Sequence, residues 1–317
     1  NLKASHERKR EYTNNFYKRR MIMSILKIEP TCKPILDPDV ADHFLKLNLN
    51  SIFKKDNWKI GSELGWQDTG KSFTDFHAQW IKDSKLNNIE GLDSFPVRHL
   101  INGCSEAISE YHWMFRNYRL RLYTGEYMFT GRLSLGNKFT TMEEDELREG
   151  DALIVSVPFS HTGEMPDDFD VTMNTCTKLN IPVFLDFCLF GTCYDIDVNV
   201  DYPCVVAVAF STSKTLATGN FRVGTLFAKE SPDHIKALNT FFYTPLLAAV
   251  VHKEMLYNYS ADYLPTKYRK KQEDLCDKYG ANSSKVMMIG TSDNPPEIED
   301  IESISGGAYA NGWPSVK

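Results

Sequence analysis

The chain has 317 residues, 42% of them hydrophobic and 25% charged, with a formal net charge of −6. That length and composition support a sizeable core in one large domain or two and argue against global disorder. The acidic balance excludes a general nucleic-acid binder, which needs a basic surface to neutralise phosphates, and the longest apolar runs, such as PLLAAVV at 245–251, are too short to cross a bilayer.

In chain order, the first twenty residues hold a basic run (Arg8, Lys9, Arg10, Lys18, Arg19, Arg20) interrupted by Glu7 and Glu11, which reads as a solvated helical arm. Residues up to about 80 are polar, aromatic-rich and weakly periodic, and are expected to form an irregular segment packed on the rest. A helix is expected to begin at Gly103 to Ser105, with Ala107, Ile108, Tyr111, Met114 and Phe115 on one face. ALIVSV (152–157), PVFLDF (182–187) and CVVAVAF (204–210) lack apolar/polar alternation, as strands of a parallel sheet covered on both faces do. Between the first two, Phe169, Met173, Cys176 and Leu179 recur at helical spacing, which predicts a βαβ unit. GTLFAK (224–229) reads as a further, returning strand. Residues 233–280 read as a long helical region carrying Phe241, Phe242, Leu246, Leu247, Val250 and Met255, kinked or divided by Pro245 and Pro265. KVMMIG (285–290) is expected to be a short strand, and SGGAYANGWP (305–314) a loop.

Seven cysteines without paired spacing do not make a disulfide framework in a chain this large, and Cys188 and Cys193 lack the companions of a zinc site. A soluble protein of a reducing compartment, the cytoplasm, without a metal site is the expectation. The chain starts at Asn1 rather than methionine, so it is read as open at either end.

Ligands of open α/β sheets sit beyond the carboxyl ends of the strands, and the reactive residues fall at those ends. Lys214 follows the strand ending at Phe210, Asp186 closes PVFLD, and Ser160, Thr162 and Gly163 follow ALIVSVP. Gly103, Cys104 and Ser105 open a helix, where free N–H groups and the dipole favour a phosphate. A lysine so placed can form a Schiff base with a carbonyl. Arg222 offers a planar fork for a phosphate, Ser211 and Ser213 offer hydroxyls, and Asp186 requires a cationic partner in space, such as a protonated pyridine nitrogen. An aldehyde, a phosphate and a ring nitrogen are together what pyridoxal 5'-phosphate presents.

Over roughly residues 95–230 the chain resembles the fold type I pyridoxal-phosphate-dependent aminotransferases of class I/II. Their S-x-S-K pattern, with R-x-G eight residues after the lysine, stands here as Ser211, Ser213, Lys214, Arg222 and Gly224. The resemblance implies that Lys214 carries the cofactor as an internal aldimine and that Arg222 binds its phosphate. NGCSEAI (102–108) is similar to the family's glycine-hydroxyl helix start, implying phosphate contacts from Gly103, Cys104 and Ser105. GEYMF (125–129) implies that Tyr127 stacks on the cofactor ring. LDFC (185–188) is similar to D-x-A-Y, implying Asp186 at the pyridine nitrogen and Cys188 against the ring's other face.

Departures accompany the match. Ser160-His161-Thr162-Gly163 stands where the family has N-P-T-G, and Leu189 where D-x-A-Y has its tyrosine, so both usual partners of the cofactor's phenolic oxygen are altered. The carboxylate-binding arginine of the C-terminal part has no counterpart but Arg269, inside KYRKKQ. The expectation is therefore an α/β protein. Its large cofactor domain (81–230) has a mainly parallel, mixed sheet covered by helices. A smaller α+β domain would come from an N-terminal segment (1–80) and residues 231–317, which begin with an interdomain helix. The resemblance implies a homodimeric aminotransferase exchanging an amino group between an amino acid and a 2-keto acid, with Lys214 and Asp186 catalytic. Another reaction on the same scaffold (decarboxylase, racemase, lyase or amino-acid oxidase) and a non-catalytic binding protein are the alternatives.

Overall fold

The protein is seen here as a computed structural model that describes residues 35, 37–55, 63–133, 139–216, 218 and 221–292. The basic arm and the 305–314 loop lie outside the described residues. In chain order the elements are α1 (Pro38–Lys46), α2 (Leu49–Lys55), α3 (Glu63–Lys82), β1 (Asn87–Glu90), β2 (Val97–Ile101), α4 (Cys104–Met114), β3 (Arg119–Leu122) and α5 (Met128–Leu133). Then come β4 (Thr140–Thr141), β5 (Asp151–Ser156), α6 (Phe169–Lys178), β6 (Val183–Phe187), β7 (Ile196–Asn199), β8 (Val205–Ser211) and β9 (Gly224–Ala228). The described chain closes with α7 (Asp233–Thr240), α8 (Leu246–Asn258), α9 (Tyr263–Tyr279), β10 (Asn282–Ser283) and β11 (Gly290–Thr291).

A seven-stranded sheet in the order β2-β9-β8-β6-β5-β3-β4 forms the centre. Its neighbours pair in parallel from β4 through β8, and only β9 runs against the others, antiparallel to both β8 and β2. The expected strands at 152–157, 182–187, 204–210 and 224–229 are all present to within a residue or two, and β5-α6-β6 is the expected βαβ unit. Both faces of the sheet are covered. Leu153, Val155, Leu185, Phe187, Val208 and Phe210 look into one apolar layer, and Ala152, Ile154, Phe184, Ala207 and Ala209 into the other, with Ala107, Ile108 and Tyr111 of α4. Burial on both sides is what erased the alternation in sequence.

Several expectations need correction. The segment before residue 80 is not irregular at its end: α3 is a 20-residue helix whose buried face carries Phe73, His77, Trp80 and Ile81. Its stripe also includes Thr69 and Thr74, and polar side chains in buried positions hide the period. Met114 is 43% exposed and leaves the α4 face that Ala107, Ile108 and Tyr111 share. The region 233–280 is helical and divided, as expected, but into three helices with the second break at 259–262 rather than at Pro265, and Phe241 and Leu247 point to solvent at 65% and 45% exposure. Pro245 precedes α8, but Pro265 sits in the first turn of α9, where no intrahelical N–H is needed. Residues 285–289 form turns, buried from Val286 on, rather than a strand. Val286 makes an isolated bridge to Cys193, and only Gly290 and Thr291 pair as β11 with β10.

At the opposite end of the sheet from the reactive residues, β3 and β5 are tied by charge. Asp151 accepts from Arg119 Nε (2.6 Å), Arg121 Nη1 (2.8 Å) and the Arg148 N–H (3.0 Å). The wholly buried Arg121 also donates to the carbonyls of Thr140, Thr141 and Glu146. Removing one partner of a buried pair strands the other charge. Asp151→Ala is therefore expected to destabilise the protein by about 3–5 kcal/mol, read as the shift in a urea unfolding midpoint at constant slope.

Candidate active site

The carboxyl ends of β2, β8, β6, β5 and β3 lie at one edge of the sheet, and the loops leaving them bring the sequence-selected residues together. After β2, Asn102 and Gly103 turn the chain into α4. Gly103 is its N-cap with φ +77° and ψ 169°, a conformation side chains rarely adopt. Glu106 in the first turn accepts from the Asn102 N–H at 2.6 Å and fixes the entry. A methyl group on Gly103 would lie 3.0 Å from Arg222 Nη2 and 3.4 Å from Ser211 Oγ. The bare glycine thus opens a niche walled by a guanidinium, hydroxyls and the start of a helix. Arg222 Nη2 donates to Ser105 Oγ at 2.7 Å. Ser211 Oγ lies 3.1 Å from Ser213 Oγ, and the Ser213 N–H donates to it at 3.3 Å.

Arg222 reaches this niche because β9 is reversed. Ser211, last in β8, pairs with Gly224, first in β9, so residues 212–223 form an excursion that starts and ends at the same sheet edge. A Cβ on Gly224 would come within 2.3 Å of the Phe210 carbonyl, which accounts for glycine in the R-x-G pattern.

Asp186 on β6 is 2% exposed. Its Oδ1 accepts from the Cys188 N–H at 2.9 Å, and the Cys104 thiol is also hydrogen-bonded to it. Burial raises its pKa, while the Cys104 thiol, the Cys188 N–H and the charge of Lys214 partly oppose the rise. Burial, with Asp186 next in weight, pushes the Cys104 thiol well above the ordinary range. Tyr127, half-buried after β3, is also raised by burial, and the nearby Lys214 works against that rise. Lys214, Asp186, Tyr127, Cys104, Cys188 and Arg222 thus share one electrostatic neighbourhood.

Ser160 enters through a residue that sequence reasoning missed. Glu126, 7% exposed, accepts from the Ser156 N–H (2.9 Å), the Ser156 hydroxyl, the Ser160 hydroxyl (3.0 Å) and the Tyr127 N–H (2.7 Å). Ser156 stands opposite Asp186 in the β5–β6 register, so the two carboxylates approach the same strand ends. Burial raises the Glu126 pKa, its bonds to Ser156 and Tyr127 lower it, and Asp186 adds to the rise. Next to it the ring of His161 occupies the space above Gly125, where a Cβ would come 2.5 Å from Nδ1. The signal in sequence was a single acid inside the otherwise uncharged YTGEYMFTG. Leu189 is buried at 2% exposure, and Arg269 lies over the Tyr194 ring at 3.9 Å and 3.5 Å from Asp195. Among the described residues no three His, Cys, Asp or Glu side chains gather as a metal set, and no helix is long and apolar enough to cross a membrane.

The chain has the α/β fold of the fold type I pyridoxal-phosphate-dependent enzymes. Solved structures carry the likeness. The L-threonine-O-3-phosphate decarboxylase of Porphyromonas gingivalis is 14% identical at TM-score 0.55, over 81% of this chain and 78% of its own. The histidinol-phosphate aminotransferase of Clostridium acetobutylicum is 16% identical at TM-score 0.54, over 81% and 79%. The C-S lyase of Staphylococcus hominis, solved with pyridoxal phosphate bound, is 12% identical at TM-score 0.51, over 68% and 64%. No protein-family model and no curated protein sequence matches the chain.

The raised carboxylates have a measurable sign. Between the ordinary carboxylate pKa and the raised folded value, the folded state holds a proton that the unfolded chain has lost, so stability falls as pH rises. Asp186→Asn removes that dependence. Its stability relative to wild type is expected to grow as pH rises above the ordinary carboxylate range in paired urea titrations, and a constant difference would contradict the assignment.

Proposed function

We propose that the protein is a pyridoxal-phosphate-dependent enzyme acting on amino acids, and within that class an aminotransferase passing an amino group between an amino acid and a 2-keto acid. The observation that carries this reading is the convergence of Lys214, Asp186 and the Gly103–Ser105–Ser211–Arg222 niche at one sheet edge. The residues fit the cofactor on their own chemistry. The niche beside Gly103 provides a guanidinium, hydroxyls and the N-terminus of α4, all suited to a phosphate. Asp186 is a buried carboxylate bonded to a thiol and an N–H, and suits a protonated ring nitrogen. Lys214 provides a primary amine within the electrostatic reach of both Asp186 and Tyr127.

Pyridoxal phosphate, when bound, supplies an aldehyde for an amine and a ring that draws electrons from the carbon next to it. Arg222, Ser105, Ser211 and the N–H groups of Cys104 and Ser105 hold the phosphate, with Ser213 supporting Ser211. Tyr127 and Cys188 would flank the ring and keep water off it. Asp186 would hold a proton on the ring nitrogen. Lys214 would supply the amine that meets the aldehyde and, when not so engaged, a base that takes a proton from the substrate α-carbon and, as its conjugate acid, delivers it on the cofactor side. A homodimer belongs to the same proposal and is checked by molecular mass in solution.

One observation favours a second reading, a different reaction on the same scaffold. The Ser160 hydroxyl is already given to Glu126, and Leu189 is buried, so the side of the pocket that the resemblance assigns to the phenolic oxygen carries a carboxylate-linked serine. Product analysis that finds no amino group passed to a 2-keto-acid acceptor would select it.

With added pyridoxal phosphate, wild type is expected to give a visible absorption band and, after borohydride reduction, an adduct that peptide mass mapping places on Lys214. Lys214→Ala loses the adduct and keeps phosphate-anchored binding, and an adduct elsewhere on that variant would overturn the assignment. Arg222→Ala is expected to weaken cofactor binding by 1.5–3 kcal/mol, about 10–150-fold, in a fluorescence titration.

A further inference from the structure

His252, on α8, is wholly buried, yet both of its ring nitrogens are hydrogen-bonded. Nδ1 meets the Thr212 hydroxyl, and Nε2 meets the Thr218 hydroxyl at 2.8 Å. These threonines stand two residues before Lys214 and four after it. The chain between them starts as a single helical turn, closed by the Leu216 N–H on the Thr212 carbonyl at 3.0 Å. A third anchor follows at the same spacing, since Thr215 Oγ1 donates to the Phe190 carbonyl at 2.9 Å. Thr212, Thr215 and Thr218 are all buried, whereas Ser213 and Lys214 are only partly so. The hydroxyls of one side are thus committed inward, and the lysine stands on the other side, toward Asp186 and Tyr127.

The reacting groups have no evident use for this imidazole, and a buried polar ring is costly unless it is bonded. A neutral histidine has one donor and one acceptor, and a threonine hydroxyl can serve either, so the ring satisfies both threonines whichever tautomer it adopts. Burial lowers its pKa to about 3, so the ring keeps its neutral form throughout the physiological range. An apolar residue of similar size would leave both hydroxyls without these partners.

We propose that His252 is a positioning residue for Lys214: from α8 it locks the turn that carries the lysine, and so aims the amine at the aldehyde site. The inference rests on the reading of Lys214 as the amine that meets an aldehyde, and the test separates the two. His252→Asn, Thr212→Val and their combination are compared with wild type by two readouts. The first is borohydride-trapped attachment of pyridoxal phosphate to Lys214 over time. The second is reductive methylation of cofactor-free protein with formaldehyde, with Lys214 and Lys229 followed separately by peptide mass mapping.

A loosened turn is expected to slow attachment roughly 10–100-fold while Lys214 methylation rises and Lys229 methylation stays constant. The double variant should be no slower than His252→Asn alone, because both changes remove the same contact. A purely structural role would lower the thermal midpoint and leave the attachment rate of the folded protein as in wild type. That result, with unchanged methylation, overturns the proposal. If His252→Asn does not fold, Thr212→Val, which loses only a hydroxyl, decides by the same two readouts. If wild type attaches no pyridoxal phosphate, the proposed function fails, and the methylation of Lys214 in the variants alone decides the positioning role.

Discussion

The pairing of Ser211 with Gly224 is the constraint on which the site depends. It turns β9 back against β8, and so makes residues 212–223 leave and rejoin the sheet at one edge. Lys214 and Arg222 both ride on that excursion. The reversed strand then pairs with β2, whose own end leads into Gly103 and α4, so the helix start meets the arginine from the other side. A parallel β9 would have to begin at the far end of the sheet and would carry Arg222 away from Lys214. Glycine at 224 is required because the strands approach too closely there for any side chain.

Within that frame, buried carboxylates have opposite fates according to their partners. Asp151 is held below the ordinary range: burial alone would raise it, but Arg119, the Arg148 N–H and Arg121 outweigh burial. Asp186 and Glu126 are raised, because their direct partners are thiols, hydroxyls and N–H groups, which stabilise the anion less than a guanidinium does. The first arrangement holds β3 to β5. The second leaves carboxylates at the sheet edge with unmet electrostatic demand, which is what a site for a cationic ring nitrogen requires. His252 adds a buried polar contact of a third kind, neutral and fully bonded, behind the lysine turn.

The central strands were legible because a sheet covered on both faces needs unbroken apolar runs, and few other structures do. Lys214, Arg222, Asp186 and the Gly103 helix start were legible because their spacings along the chain follow directly from short loops at strand ends. Glu126 and His252 were not. Each acts on residues far from it in sequence, Glu126 on Ser156 and Ser160 and His252 on Thr212 and Thr218; the only local sign was that Glu126 is the single acid of its stretch, and His252 has none. The helix α3 was obscured for a related reason: Thr69, Thr74 and His77 are buried on its inner face, so its polarity does not track its exposure. Val286 to Ile289 misled in the other sense. They are apolar because they are buried in turns, held partly by the Gln272 amide on the carbonyls of Ser284, Val286 and Ile289, rather than because they extend as a strand.

Sequence alone therefore determined the class of fold and the residues that stand at the strand ends, because both are set by local periodicity and by the few residues between a strand and its following turn. Only the tertiary structure decided which of those ends meet, which carboxylates are bonded to guanidinium groups and which to hydroxyls, thiols and N–H groups, and which buried side chains hold the reactive turn in place. Those outcomes depend on strand order and on contacts between residues tens to more than a hundred positions apart, such as Ser105 with Arg222, and no local pattern in the chain encodes them.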